Sequence, residues 1–232
     1  MRYQQLALIG DSITEFSTQF PHGLHTYLNN EYVKRLDVIN RGYSGYNTRI
    51  LRAAYKDITE SLDSTLAAAV LFIGTNDSVL PGELQHVPIA EFKENMLFFI
   101  ENLQKVTDRI VLITPAYISE ALWPGRTNEF MDQYIEAIEI IGKDKNIPVI
   151  NLKKVMKENP DLLLDGLHFN DDGFKAFVPK VLDALATLDL DPEKLKYKLP
   201  YWRDLADKPL DTVEKEITDH VIELEKNGQL AK

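Results

Sequence analysis

Residues 6–16 read LALIGDSITEF. The apolar run 6–9 is short, as a strand buried on both faces should be. It stops at Gly10-Asp11-Ser12, a glycine, an acid and a hydroxyl. Four further runs of the same kind follow, at 38–40, 68–73, 109–114 and 148–151. Between and after them lie longer amphipathic stretches, with helices expected at 24–36, 48–62, 89–106, 128–145 and 172–185. In the third of these, Ile89, Phe92, Met96, Phe99, Ile100 and Leu103 recur at helical spacing and should face the core. Short strands alternating with helices predict an α/β fold: a three-layer α/β/α sandwich around a mainly parallel, doubly wound, flavodoxin-like sheet of five strands.

The chain has 232 residues, enough for one α/β domain with a good core. No cysteine is present, so disulfides, thiolate metal sites and a cysteine nucleophile are excluded. The formal net charge of −10 argues against nucleic acid as a partner, because phosphate backbones reward clustered Lys and Arg. No apolar run approaches the roughly 18 residues of a membrane span. A secretory signal would need a longer apolar stretch after Arg2 than the few residues before Gly10. The expected location is the cytoplasm.

The composition changes after Leu188. We expect a domain over 1–187 and a tail over 188–232, the latter rich in charge and proline at first. Val213, Ile217, Val221 and Leu224 then form one apolar stripe on a charged helix. Such a stripe must pack on the domain itself or on a partner subunit.

In open α/β sheets, ligands bind beyond the carboxyl ends of the strands. The segments found there are GDS (10–12), NRGYSGYNTR (40–49) and GTND (74–77), with DGLHFN (165–170) later in the chain. Together they supply one acyl-transfer apparatus. Ser12 is a nucleophile once a base takes its proton. His168 suits the base, since histidine is the side chain that changes charge nearest neutral pH. Asp165, three residues earlier, can hold the imidazole in one tautomer and stabilise its protonated form. The Ser12 backbone N–H, the Gly45 N–H and the Asn76 amide can serve a developing oxyanion. Gly42 competes with Gly45 for that place. Asp11 reads as a structural acceptor bracing the turn.

Other chemistries fit less well. Phosphoryl transfer to Asp11 wants a second acid two positions on, where Ile13 stands. A catalytic zinc held by Asp165 and His168 would lack its usual third ligand, so no metal and no cofactor are expected. A non-catalytic binding module would leave the four segments without a role.

The four segments resemble the GDSL or SGNH hydrolase superfamily, whose pattern is a serine, a glycine, an asparagine and a histidine in separate blocks. Isoleucine stands here where that family's name has leucine. GDSITEF, RGYSGYNTR, DGLHFN and the later YKLPYWRD (197–204) are similar, more narrowly, to the isoamyl acetate-hydrolysing esterase family. The resemblance implies a cytosolic serine esterase acting on a small-molecule, short-acyl ester, commonly as a homodimer. Carbohydrate acetates, thioesters, lysophospholipids and acyl transfer to an alcohol use the same machinery across the superfamily. Trp123, in the stretch after the fourth strand, and Phe169, beside the base, are the candidates for a substrate-pocket wall. Glu15, Arg41 and Arg49 flank the motifs as ion-pair candidates. His22, His25, His86 and His220 read as surface histidines.

Overall fold

The computed structural model describes residues 3–228. Five strands, β1 (Gln5–Gly10), β2 (Asp37–Gly42), β3 (Ala68–Phe72), β4 (Ile110–Ile113) and β5 (Val149–Ile150), form one sheet. Its order is β2-β1-β3-β4-β5, and every neighbouring pair is parallel. The helices are α1 (Ser12–Glu15), α2 (Leu24–Glu31), α3 (Thr48–Thr59), α4 (Ile89–Leu103), α5 (Asn128–Lys145), α6 (Leu152–Met156), α7 (Asp171–Thr187), α8 (Trp202–Leu205) and α9 (Leu210–Lys226).

Side chains alternate across a strand, so each central strand feeds two apolar layers. Leu6, Leu8, Val70, Phe72, Val111 and Ile113 point to one face, where Leu24 and Leu28 of α2 and Phe174, Phe177 and Val181 of α7 cover them. Ala7, Ile9, Ala69, Leu71, Ile110 and Leu112 point to the other, under α3, α4 and α5. This is the three-layer sandwich. The stripe expected along α4 is real: Phe92, Met96, Phe99, Ile100 and Leu103 are buried there, while Ile89 is only half-buried.

Element bounds differ from the sequence expectation mainly at helix ends. The helix expected over 24–36 closes at Glu31, because the chain must reverse into β2. Lys34 takes a left-handed φ of 62° in that reversal. At α5 the expected bounds hold, and Asn146 ends the helix in the left-handed conformation that asparagine tolerates.

The segment after Leu188 is tied back to α2 and the turn before β2. Tyr32 donates to Leu190 O (2.6 Å), Arg35 Nε to Leu195 O (3.0 Å) and Lys198 N to Lys34 O (2.8 Å). Along α9, Leu224 is buried and Val213, Ile217 and Val221 are half-buried. His220 Nε2 bonds Tyr197 O at 2.8 Å. Among the described residues no helix is long and apolar enough to cross a membrane.

Candidate active site

The order of the sheet reverses at β1, between β2 and β3, and the four motifs gather at the carboxyl edge there. Asp11 follows β1 directly and caps α1, its Oδ1 accepting from Ile13 N at 3.0 Å. Ser12 is the first residue of that helix, where backbone N–H groups lack intrahelical partners. Behind it, Asn40 of β2 donates to Thr14 O at 2.8 Å and accepts from Gly42 N at 2.9 Å. A Cβ at Gly42 would stand 2.1 Å from Glu15 N, so this glycine lets β2 close on α1. Its place is structural, which sets it apart from Gly45. Gly45 has φ +77°, a conformation glycine adopts freely.

The 160–170 segment folds over this edge. His168 Nε2 lies 2.8 Å from Ser12 Oγ, and His168 Nδ1 lies 2.8 Å from Asp165 Oδ2. The other carboxyl oxygen, Asp165 Oδ1, accepts from Leu167 N (3.0 Å) and His168 N (2.8 Å). Partial burial pushes the Asp165 carboxyl up. The His168 ring and these backbone N–H groups outweigh it and hold the group below its ordinary value. An ionised carboxylate only accepts, so His168 carries its proton on Nδ1 and presents a bare Nε2 to the Ser12 hydroxyl. A hydroxyl, an imidazole and a carboxylate thus stand in one hydrogen-bonded line, the arrangement that activates a serine for acyl transfer.

Asn76 is buried, and its Nδ2 donates to Tyr46 O at 2.9 Å. That bond uses one of its two amide hydrogens. Next to Ser12 and next to Asn76 lies a buried acid, Asp11 and Asp77. Burial raises both the Asp11 and the Asp77 carboxyl to about 7, against the hydrogen bonds that Ile13 gives the first and Thr48 gives the second. Asp77 Oδ1 accepts from Thr48 N (2.9 Å) and from the Thr48 hydroxyl, tying the start of α3 to the end of β3. Asp11 does brace the turn, as the sequence suggests.

The two pocket candidates part company. Trp123 reaches the site: its Nε1 donates to Asp165 O at 3.0 Å, and its ring meets His168 edge-on with centroids 6.2 Å apart. Phe169 does not. It is 1% exposed and packs on Phe72, Phe174 and Phe177 inside the core. Residue 169 pairs with Leu163 in a short antiparallel bridge, and neighbours in extended chain point to opposite sides. His168 therefore faces the site and Phe169 the interior. Phe16 also meets the His168 ring edge-on, with centroids 5.7 Å apart, and is half-exposed.

Arg49 pairs with Glu91 at 2.6 Å on the surface, Arg41 bonds Ser61 Oγ, and Glu15 accepts from Ser44 N. His22 is half-buried against Asp171 at 2.6 Å, so it has a carboxylate partner that the sequence does not reveal. Reading by motif also misses Arg126 and Gln85. The Arg126 guanidinium is buried beside Asn76, donating to Thr75 O, to Asn76 Oδ1 (3.1 Å) and to Gln85 Oε1 (3.1 Å). A lone arginine in a loop gives no signal of its own.

Residues 8–176 match the model of the GDSL-like Lipase/Acylhydrolase family, and the chain belongs to that family. It is a carboxylic ester hydrolase. Among curated relatives, the isoamyl acetate-hydrolyzing esterase of Saccharomyces cerevisiae is 29% identical, over 89% of this chain and 97% of its own. The isoamyl acetate-hydrolyzing esterase 1 homolog of Homo sapiens is 33% identical, over 88% of this chain and 89% of its own. Among solved structures, a lipase/acylhydrolase from Enterococcus faecalis is 26% identical with a TM-score of 0.63, covering 85% of this chain and 100% of that one. An acetyl xylan esterase shares the fold with a TM-score of 0.66 at 24% identity, covering 78% of this chain and 99% of that one.

Proposed function

We propose that this hydrolase cleaves short-chain, acetate-type carboxylic esters through an acyl-enzyme on Ser12. The observation that carries the reading is the unbroken line from Ser12 Oγ through His168 to Asp165, each contact 2.8 Å. Ser12 Oγ attacks the ester carbonyl as His168 Nε2 takes its proton. Asp165 Oδ2, accepting from Nδ1–H, stabilises the imidazolium that forms. The tetrahedral oxyanion takes hydrogen bonds from Ser12 N–H, Gly45 N–H and Asn76 Nδ2. His168 then returns the proton to the departing alkoxide, leaving an acyl ester on Ser12. In the second half, His168 takes a proton from water, which attacks that ester, and returns it to Ser12 Oγ as the acid leaves.

The preference for acetate rests on similarity to the isoamyl acetate-hydrolyzing esterases. Phe16 and Trp123, both edge-on to the His168 ring, are the proposed walls near the acyl group. A series of p-nitrophenyl esters from acetate to octanoate tests it: kcat/KM should fall as the acyl chain lengthens. A maximum at the longer chains would keep the serine esterase and remove the acetate preference. We propose further that the enzyme works in the cytoplasm, as a homodimer, in the breakdown of small esters and lipids. These three rest on the family resemblance, and a monomeric mass in sedimentation equilibrium would contradict the dimer.

A further inference from the structure

The proposed oxyanion donors Gly45 and Asn76 stand on different loops, one after β2 and one after β3. A stabilising hole requires both to aim at one point within a few tenths of an ångström, so something must fix the two loops together. The structure contains a closed ring of hydrogen bonds that does so. Arg126 Nη2 donates to Asn76 Oδ1 (3.1 Å) and to Gln85 Oε1 (3.1 Å). Gln85 Nε2 donates to Gly45 O (2.8 Å), and Asn76 Nδ2 donates to Tyr46 O (2.9 Å). Gly45 and Tyr46 are consecutive, which closes the ring.

The chemistry of the ring leaves one arrangement. Arginine only donates, so the atoms it meets on Asn76 and Gln85 are their oxygens. Backbone carbonyls only accept, so the atoms that meet Tyr46 and Gly45 are the amide nitrogens. Both side-chain amides are thereby locked, and the remaining Asn76 N–H is aimed rather than free to flip. Gln85 is held at its backbone as well, its carbonyl accepting from Asn47 Nδ2 at 2.9 Å while Asn47 caps α3. Among the described residues, its chain neighbours aside, the atom within 4 Å of a Cβ built on Gly45 is Gln85 Nε2, at 3.7 Å. Gln85 thus stands against this exposed glycine.

Arg126 is 6% exposed, and its nearest counter-charges include Asp11 and Glu83. A buried guanidinium on the oxygen of an amide also polarises its N–H groups, which strengthens them as donors. Lysine would not reproduce this, because a single ammonium lacks the planar fork that reaches Thr75, Asn76 and Gln85 together.

We propose that Arg126 and Gln85 are positioning residues that hold Gly45 and Asn76 as one oxyanion hole. The inference rests on Gly45 and Asn76 being the oxyanion donors. Arg126→Lys, Gln85→Ala, Asn76→Ala and the Arg126→Lys/Asn76→Ala double variant are assayed on p-nitrophenyl acetate, with thermal melts to verify folding. Arg126→Lys should lower kcat by about 10²-fold, the scale of a misplaced catalytic group, with KM changed little. Gln85→Ala should lower kcat in the same direction. In the double variant the two losses should fall short of multiplying, because part of what Arg126 does runs through Asn76. The acidic limb of kcat/KM should stay in place, since Ser12, His168 and Asp165 are untouched.

Full kcat in both Arg126→Lys and Gln85→Ala, with Asn76→Ala impaired, overturns this inference and leaves the oxyanion reading intact. Multiplying losses in the double variant overturn it too, since Arg126 would then act independently of Asn76. Full kcat in Asn76→Ala removes the oxyanion reading and this inference with it. Should Arg126→Lys fail to fold, half-exposed Gln85 decides: unchanged kcat in Gln85→Ala overturns the inference.

Discussion

His168 Nε2 and Ser12 Oγ are 2.8 Å apart although 156 positions separate them in the chain. In the proposed mechanism neither group works without the other, because a serine hydroxyl is a weak nucleophile until a base takes its proton. Ser12→Ala, His168→Ala and the double variant should therefore all lose kcat by a similar factor, about 10⁴–10⁶. Losses that multiply in the double variant would show that the two residues work separately.

Asp165 spends one oxygen on two backbone N–H groups and the other on the His168 ring. In Asp165→Asn the amide oxygen can keep the backbone bonds, which turns the NH₂ toward Nδ1 and selects the wrong tautomer. We expect kcat to fall by about 10⁴ while the melting temperature changes little. A variant with near-normal kcat would mean that Asp165 only shapes the 160–170 segment.

Asn76→Ala removes one proposed oxyanion donor and should cost about 10²–10³ in kcat with KM nearly unchanged. A rise in KM alone would assign Asn76 to ground-state binding instead.

Trp123 and Phe169 should give opposite results. Phe169→Ala empties a space walled by Phe72, Phe174 and Phe177, and the loss in stability should be about 3–5 kcal/mol. Its acyl-length profile should match wild type. Trp123→Ala should shift that profile with a small change in melting temperature. The reverse pattern would return Phe169 to the pocket.

The buried carboxyls give a pH dependence of known sign. Burial raises Asp77 from 3.8 to about 7, so between those values the folded chain holds a proton the unfolded chain has lost. Stability from this group is complete at the acid end and is lost as pH rises toward about 7. Asp77→Asn deletes that contribution, so the stability of the variant should decline less between about pH 4 and about pH 7. The difference is at most about 1.4 kcal/mol per pH unit. Urea midpoints of wild type and variant measured across that range test it; parallel curves would contradict it.

Much of this could be read from the chain alone, for definite reasons. Strands β1 and β3 are apolar on both faces, and Gly10 and Gly74 mark their ends, so a parallel sheet and its active edge were visible. Ser12, Gly45, Asn76, Asp165 and His168 sit in local motifs, and the fold brings those motifs together at one edge. Phe169 was misjudged because sequence adjacency to His168 hides the turn of the backbone that sends the two side chains apart. Arg126 and Gln85 were missed because each acts through partners 40 or more residues away in sequence. Helix α2 ends at Glu31, before a reversal in which Lys34 is left-handed, and no helix-breaking residue announces it.

In the proposed mechanism Ser12 carries the acyl group. The direct measurement is rapid-quench hydrolysis of p-nitrophenyl acetate, with the quenched protein weighed intact by mass spectrometry, for wild type and Ser12→Ala. We expect an acetylated wild-type species whose label maps to the peptide bearing Ser12, and neither label nor turnover in Ser12→Ala. Turnover in Ser12→Ala equal to wild type, or a label on another residue, would contradict it.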